Sequence, residues 1–439
     1  MPAATRIIDR VVTAPDGNGG PRWLLAAATV ATLLLPWALL YARAIGDAVL
    51  CVIVVLFLAG SAAERDWTWL RAPWTRLALL FWGWMLLCTL LNGNGQAIQQ
   101  ALASIRFFLL VPALETRVLA DERTRRRLWY VILAAALWIL VESWQQYLVG
   151  VNIFGYPRWI DGALTGPFRG PVAGPTFLWL FFPAFLPLCL LLLRRADRLA
   201  RVGGFAVLVV AALTMIMIGQ RMPAVLMALG LCVSGLLFRQ VRLPVLLTIG
   251  AGAGLLALLP VISPPTSFKL VVIFTYQMEH FWASPYGLIF GRAVTMIQAH
   301  PWFGLGWDGY RDFCMDPAYL TGVKWLPVSD PASIEGCTIH PHNYWLQVAT
   351  SCGLPGTVLF AALVVTWLRA IRNGAGNPSN DRQAALLVIV FVAMWPIAST
   401  TSLFTVPNAG WFFLMVGWGL AEARRCDSLS SVSAGPTQN

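Results

Sequence analysis

The chain has 439 residues, of which 58% are hydrophobic and 12% charged, with 21 Trp, a formal net charge of +11 and a mean hydropathy of +0.69. Soluble globular domains carry about a quarter charged residues, so this composition excludes one and points to an all-α polytopic membrane protein. The basic excess alone would suit a nucleic-acid binder, and its placement along the chain argues against that.

Apolar runs long enough to cross a bilayer as helices recur along the chain. Hydropathy places about twelve spans near 23–41, 45–62, 75–92, 98–116, 128–148, 173–193, 202–219, 222–238, 242–261, 342–368, 384–404 and 409–423. The first run exceeds a signal-peptide core and lacks a small-residue cleavage site, so it reads as an uncleaved span. Domain organisation follows as an N-terminal cytoplasmic tail (1–22), nine spans (23–261), a large outer loop (262–341), three spans (342–423) and a disordered cytoplasmic tail (424–439).

Alternate connections are Arg-rich. With both termini inside, the N-terminal tail holds 3 Lys/Arg, the successive inner loops 3, 5, 4, 2 and 3, and the C-terminal tail 2, which is 22 of 31. The positive-inside rule converts that alternation into an orientation. The other nine are Arg43, Arg106, Arg158, Arg169, Arg221, Lys269, Arg292, Arg311 and Lys324. The basic charge is therefore mainly a topology signal, and the expected surroundings are membrane lipids, with no nucleic acid.

Two outer connections are too long for turns. One is the Gly- and Pro-rich segment 151–176. The other, 262–341, precedes the tenth span, and the window from His280 to His342 holds all four histidines of the chain. Its aromatic, partly helical pattern predicts a cap against the bundle. Cys314 and Cys337 both fall in it, and in an oxidising compartment they can pair, with two free thiols as the alternative.

Charged residues near membrane depth are costly and mark function by default. Arg169, Arg221 and Arg292 lie on the outer side, and the planar guanidinium suits a phosphate because it donates bidentate hydrogen bonds. Snorkelling to headgroups is the competing role. Arg106 falls inside a span, where Glu142 of the next span is the expected structural partner. His342 can take a proton at ambient pH. Asn343, Gln347 and Ser351 continue from it at helical spacing as a polar stripe, before Gly353-Leu354-Pro355-Gly356 breaks the helix. His340-x-His342 also resembles a metal pair, but further ligands at suitable spacing are missing. No metal and no cofactor are expected.

His342-Asn343, nine residues, Gly353, two residues and Gly356 resemble the H[NSQ]-x9-G-x2-[GTY] signature of bacterial O-antigen ligases. "HPWFGLGWDGY", residues 300–310, is similar to the P-x-x-G-x-G element of the wider ligase/polymerase superfamily. The resemblance implies a metal-independent, inverting glycosyltransferase of the C-type membrane superfamily. Such an enzyme moves O-antigen polysaccharide from undecaprenyl diphosphate to a sugar hydroxyl of lipid A–core oligosaccharide at the periplasmic face of the bacterial inner membrane. It implies His342 as the essential histidine, with Arg221 and Arg292 as diphosphate ligands, while Arg169 joins them on position alone and His340 and Asn343 are supporting. His342 serves either as base or as a positioning group. Trp302, Trp307 and Trp325 are candidates for stacking on sugars.

Three other functions compete. An O-antigen polymerase uses the same donor, and its R-x10-G element fits once here, from Arg311 to Gly322. A protein O-oligosaccharyltransferase shares the histidine but usually carries more C-terminal soluble structure. A transporter of an anionic lipid-linked substrate predicts inverted repeats and breaks in both halves, and the sequence has one break.

Overall fold

The structure is a computed structural model that describes residues 22–373, 381–398 and 401–433. The expected N-terminal tail up to residue 21 and the last six residues of the C-terminal tail lie outside the described residues.

The chain is a helical bundle. Its elements are α1 Arg22–Tyr41, α2 Arg43–Glu64, α3 Pro73–Asn92, α4 Gly95–Ala103, α5 Ile105–Ala113, α6 Glu122–Val149, α7 Ala173–Leu193, α8 Arg198–Ile218, α9 Arg221–Leu237 and α10 Arg242–Ile262. The loop region adds α11 Pro264–Ser267, α12 Phe274–Glu279, α13 Pro285–Ala299 and α14 Gly309–Phe313, and α15 Tyr344–Arg372, α16 Asp381–Ala393 and α17 Val406–Ser433 complete it. Among the described residues nine helical stretches are long and apolar enough to cross a membrane, and α9 is apolar but shorter. The last helix continues to Ser433, so helical backbone enters the segment expected to be a disordered tail from 424.

Local chemistry sets the helix ends. Asp121, Asp197 and Ser284 each accept a hydrogen bond from a first-turn amide, satisfying donors the helix itself leaves open. Gly219 ends α8 at φ 78°, and Gln220 then leads directly into α9. That turn places Arg221 at the first position of α9.

The two long connections, 151–176 and 262–341, are folded onto the bundle. In the shorter, the Asn152 side chain donates to the carbonyls of Gly166 and Phe168 at 2.7 and 3.1 Å and accepts from the amides of Phe154 and Tyr156. Gln146 of α6 accepts from the Thr165 amide at 2.8 Å. The longer connection builds its own small core from Ile289, Ala293, Met296, Leu305, Tyr310, Cys314 and Tyr319. Cys314 and Cys337 are bonded to each other, with their Cα atoms 5.4 Å apart.

The expected Arg106–Glu142 pair does not form. Arg106 instead binds Asp47 of α2, Nε to Oδ1 at 2.7 Å, while Glu142 accepts from the Ile153 amide at 3.1 Å. Each group finds a nearer partner, Arg106 a carboxylate on the adjoining helix and Glu142 an amide of the connection that follows its own helix.

Candidate functional site

The scaffold of the site is the break in α15. Gly353 has φ 64° and ψ −173° inside that helix, which frees backbone groups on either side of it. The "HPWFGLGWDGY" loop takes them up. Leu305 and Gly306 amides donate to the carbonyls of Thr350 and Ser351 at 2.8 and 3.0 Å, and the Leu354 amide donates to the Pro301 carbonyl at 2.7 Å. A Cβ on Gly353 would lie 2.4 Å from the Trp302 carbonyl oxygen, and one on Gly304 2.6 Å from the Thr350 oxygen. Two backbones therefore touch with no room for a side chain, and this is why the two glycine motifs occur together.

This scaffold holds the start of α15. Asn343 is its N-cap, accepting from the Leu346 amide at 3.0 Å and donating to the carbonyls of Pro396 and Ala398 at 2.7 and 3.0 Å. Gln347, one turn on, donates to Ser402 and accepts from the Leu403 amide. The polar stripe foreseen on this helix thus ties down the segment before α17. Immediately ahead of the cap, His342 is left-handed at φ 50°, a conformation rare outside glycine and met at functional sites. Its half-buried ring lies 4.2 Å from that of His340, centroid to centroid, and 6.0 Å from Tyr286.

His342 lines a cavity of about 930 Å³ together with Arg221, Lys269, Gln277 and Tyr286. Its walls are largely apolar and come from Leu178 and Trp179 of α7, Leu226 and Leu229 of α9, and Ile389 and Ala393 of α16. Arg221 donates to Gln277, a neutral partner that leaves the cation's charge in place. The N-terminus of α9 adds its own partial positive charge beside that guanidinium. Lys269 pairs with Asp161 across the rim. Burial pushes the Asp161 carboxyl up, but the hydrogen bonds from Lys269 and the Ala163 amide outweigh it and hold the group below its ordinary range.

The other expected ligands stand elsewhere. Arg292 is buried and does not line this cavity. Its guanidinium donates to the carbonyls of Cys314, Pro331 and Ser333, the last two at 2.6 and 3.3 Å, and burial lowers its pKa. Arg169 is exposed on the shorter of the two long connections, near the cavity-lining Pro171 but not among the lining residues. The four histidines separate: His300 bonds the Tyr319 hydroxyl at 2.8 Å, and the ring of His280 stacks on Tyr276. Of the tryptophans singled out, Trp307 is buried, and Trp302 and Trp325 are exposed. The tryptophans that do line the cavity are Trp179, Trp282 and Trp395.

Sequence reasoning missed Lys269, Gln277 and Tyr286. Lys269 carried a signal, being a lone cation in the apolar run "SFKLVVIF"; Gln277 and Tyr286 carried none, because only the fold brings them to Arg221 and His342. Among the described residues no three His, Cys, Asp or Glu side chains gather as a metal-ion cage.

Among curated proteins none matches the chain. Residues 205–361, from α8 into α15, match the family model described as O-antigen ligase, a segment that contains Arg221, Arg292, His340, His342 and Asn343. Over that segment the chain resembles the O-antigen ligase superfamily, whose members are glycosyltransferase-like ligases and polymerases.

Proposed function

We propose that the protein is an O-antigen ligase of the bacterial inner membrane, with about twelve spans, both termini cytoplasmic and its site on the periplasmic side. The observation that carries this reading is one cavity whose lining combines apolar side chains from several helices with Arg221, Lys269 and His342. A polyprenyl diphosphate needs both halves: hydrocarbon packing for the chain and fixed cations for the charged head.

In the proposed reaction the acceptor hydroxyl of lipid A–core attacks the anomeric carbon of the donor glycan. The anomeric C–O bond to diphosphate breaks on the opposite face, so configuration inverts. The hydroxyl proton passes to a ring nitrogen of His342, and undecaprenyl diphosphate leaves with its new negative charge beside Arg221, Lys269 and the α9 N-terminus. Fixed cations stabilise the leaving group, and the route needs no metal ion. Lys269 reaches the diphosphate by exchanging Asp161 for it. Tyr286 packs edge-on to the His342 ring and orients it. We assign Arg292 to holding the 314–333 loop and Asn343 to setting the backbone under His342.

The test is deletion of the gene followed by electrophoresis of the lipopolysaccharide. Loss of the long-chain ladder with accumulation of lipid-linked polymer is the expected result, restored by the wild-type gene and not by His342→Ala. A core bearing a single repeat unit would assign the protein as a polymerase instead. Unchanged lipopolysaccharide would overturn both.

A further inference from the structure

A second cavity, of about 430 Å³, opens beside the first and is lined by Arg43, Asp47, Gln100, Arg106 and Trp307. The 401–408 segment stands between the two: Thr401 and Asn408 line the larger, and Phe404 through Pro407 line the smaller. The same α15 scaffold holds both sides, since Gln347 fixes Ser402 and Leu403 while the docked Gly306 turn carries Trp307.

The polar groups of this cavity are unequal. Among the described residues that line it, Asp47 is the one acid, and Arg106 holds both its oxygens, at 2.7 and 3.3 Å. Arg43 is exposed at the start of α2 and has no carboxylate left there to neutralise it. Trp307 Nε1 donates to Gln100 Oε1 at 2.7 Å, and the Gln100 NH2 adds donors. The cavity therefore offers hydrogen-bond donors and a net positive charge, Arg43 and Arg106 against Asp47. An oxygen-rich anion is the chemistry that complements such a lining.

We infer that this second cavity binds a phosphate- or carboxylate-bearing saccharide, and that this saccharide is the acceptor, presented across the 401–408 segment from the donor. The inference rests on the glycan-transfer reading for the word acceptor, and on the cavity alone for the ligand class.

Binding is measured on the full-length protein in nanodiscs, with deacylated phosphorylated core oligosaccharide as the probe and its phosphatase-treated form as the control. Arg43→Ala should weaken binding of the phosphorylated probe about tenfold, the scale of one charged hydrogen bond, and leave the treated probe unaffected. Arg43→Lys should restore part of the loss. In a transfer assay the acceptor KM should rise by a similar factor at unchanged donor KM. Equal weakening of both probes, or no change with either, overturns the inference. Competition by inorganic phosphate as effective as the probe, or by raising the phosphatidylglycerol content of the nanodisc, assigns the cavity to a free ion or a lipid headgroup and also overturns it. The two readings fail separately. Arg43-dependent binding without any transfer by the wild type sinks the ligase reading alone, and transfer indifferent to Arg43 sinks only the second site.

Discussion

The two ends of the bundle differ in how they hold some of their arginines. At the Arg-rich end, the buried positive charges meet acids of the protein itself: Arg125 and Arg382 converge on Glu422 at 3.4 and 2.7 Å, Arg382 also meets Glu122, and Arg117 meets Glu64 at 2.8 Å. At the end that holds His342, Lys269 and Arg106 also pair with acids, Asp161 and Asp47, but Arg221 donates to the neutral Gln277 and Arg292 to backbone carbonyls. An ion pair closed within the protein fastens helices and leaves nothing for a ligand. A cation held by neutral acceptors keeps its charge, at the cost of burying it in surroundings that do not cancel it.

The comparison predicts that substitutions at the two ends separate activity from stability. His342→Ala should lower transfer by about 10²–10⁴-fold, the usual worth of a general base, with the melting temperature in detergent nearly unmoved. Arg221→Ala should likewise cut transfer and shift Tm by no more than about 2 °C. If either variant unfolds the protein, the groups at the His342 end are structural and the contrast collapses.

Glu422→Gln is the converse experiment. It leaves Arg125 and Arg382 without their shared buried carboxylate, and should cost about 3–5 kcal/mol, read as a lowered unfolding midpoint. Transfer per folded molecule should stay the same. A normal midpoint would show that the network contributes little.

Gly353→Ala attacks the scaffold between the ends. The left-handed backbone alone costs an alanine about 1–3 kcal/mol, and the new Cβ would press on the Trp302 carbonyl. Both stability and transfer should fall, since displacing the 300–306 loop releases the frame under His342. Intact transfer with lowered stability would separate the frame from the chemistry.

The smallest effect concerns the rim. The Asp161 carboxyl is depressed in the folded protein, so its contribution to stability is present above the unfolded value, about 3.9, and disappears as pH falls through the folded one. Asp161→Asn should remove that contribution at neutral pH and so flatten the loss of stability below about pH 4. It should also lower the donor KM slightly, because Lys269 no longer has a carboxylate to exchange. A raised donor KM would mean that Asp161 positions Lys269 for the donor.

Legibility varied by residue. His342 was found because it stands at a fixed distance from Gly353 and Gly356, and backbone contact at the helix break constrains that spacing. Asn343 was found for the wrong reason: the motif drew attention to it, while its position directly before a helix already marked it as a cap. Arg292 and Arg221 look alike in sequence, each one cation in an apolar stretch. Only the fold tells them apart, by facing one with three carbonyls and the other with a cavity. The sequence pairs Arg106 with the acid of the next span, Glu142, whereas its partner is Asp47, on a helix whose packing against α5 no local pattern reports.

Hydropathy and charge bias are sums over neighbouring residues, so the sequence alone determined the helices, the Arg-rich alternation and the break at Gly353. Which side chains share a cavity depends on contacts between segments more than a hundred residues apart. Gathering Arg221, Lys269 and His342 at one apolar-walled opening was decided only by the tertiary structure, because packing, and no property of the local chain, sets what a buried cation faces.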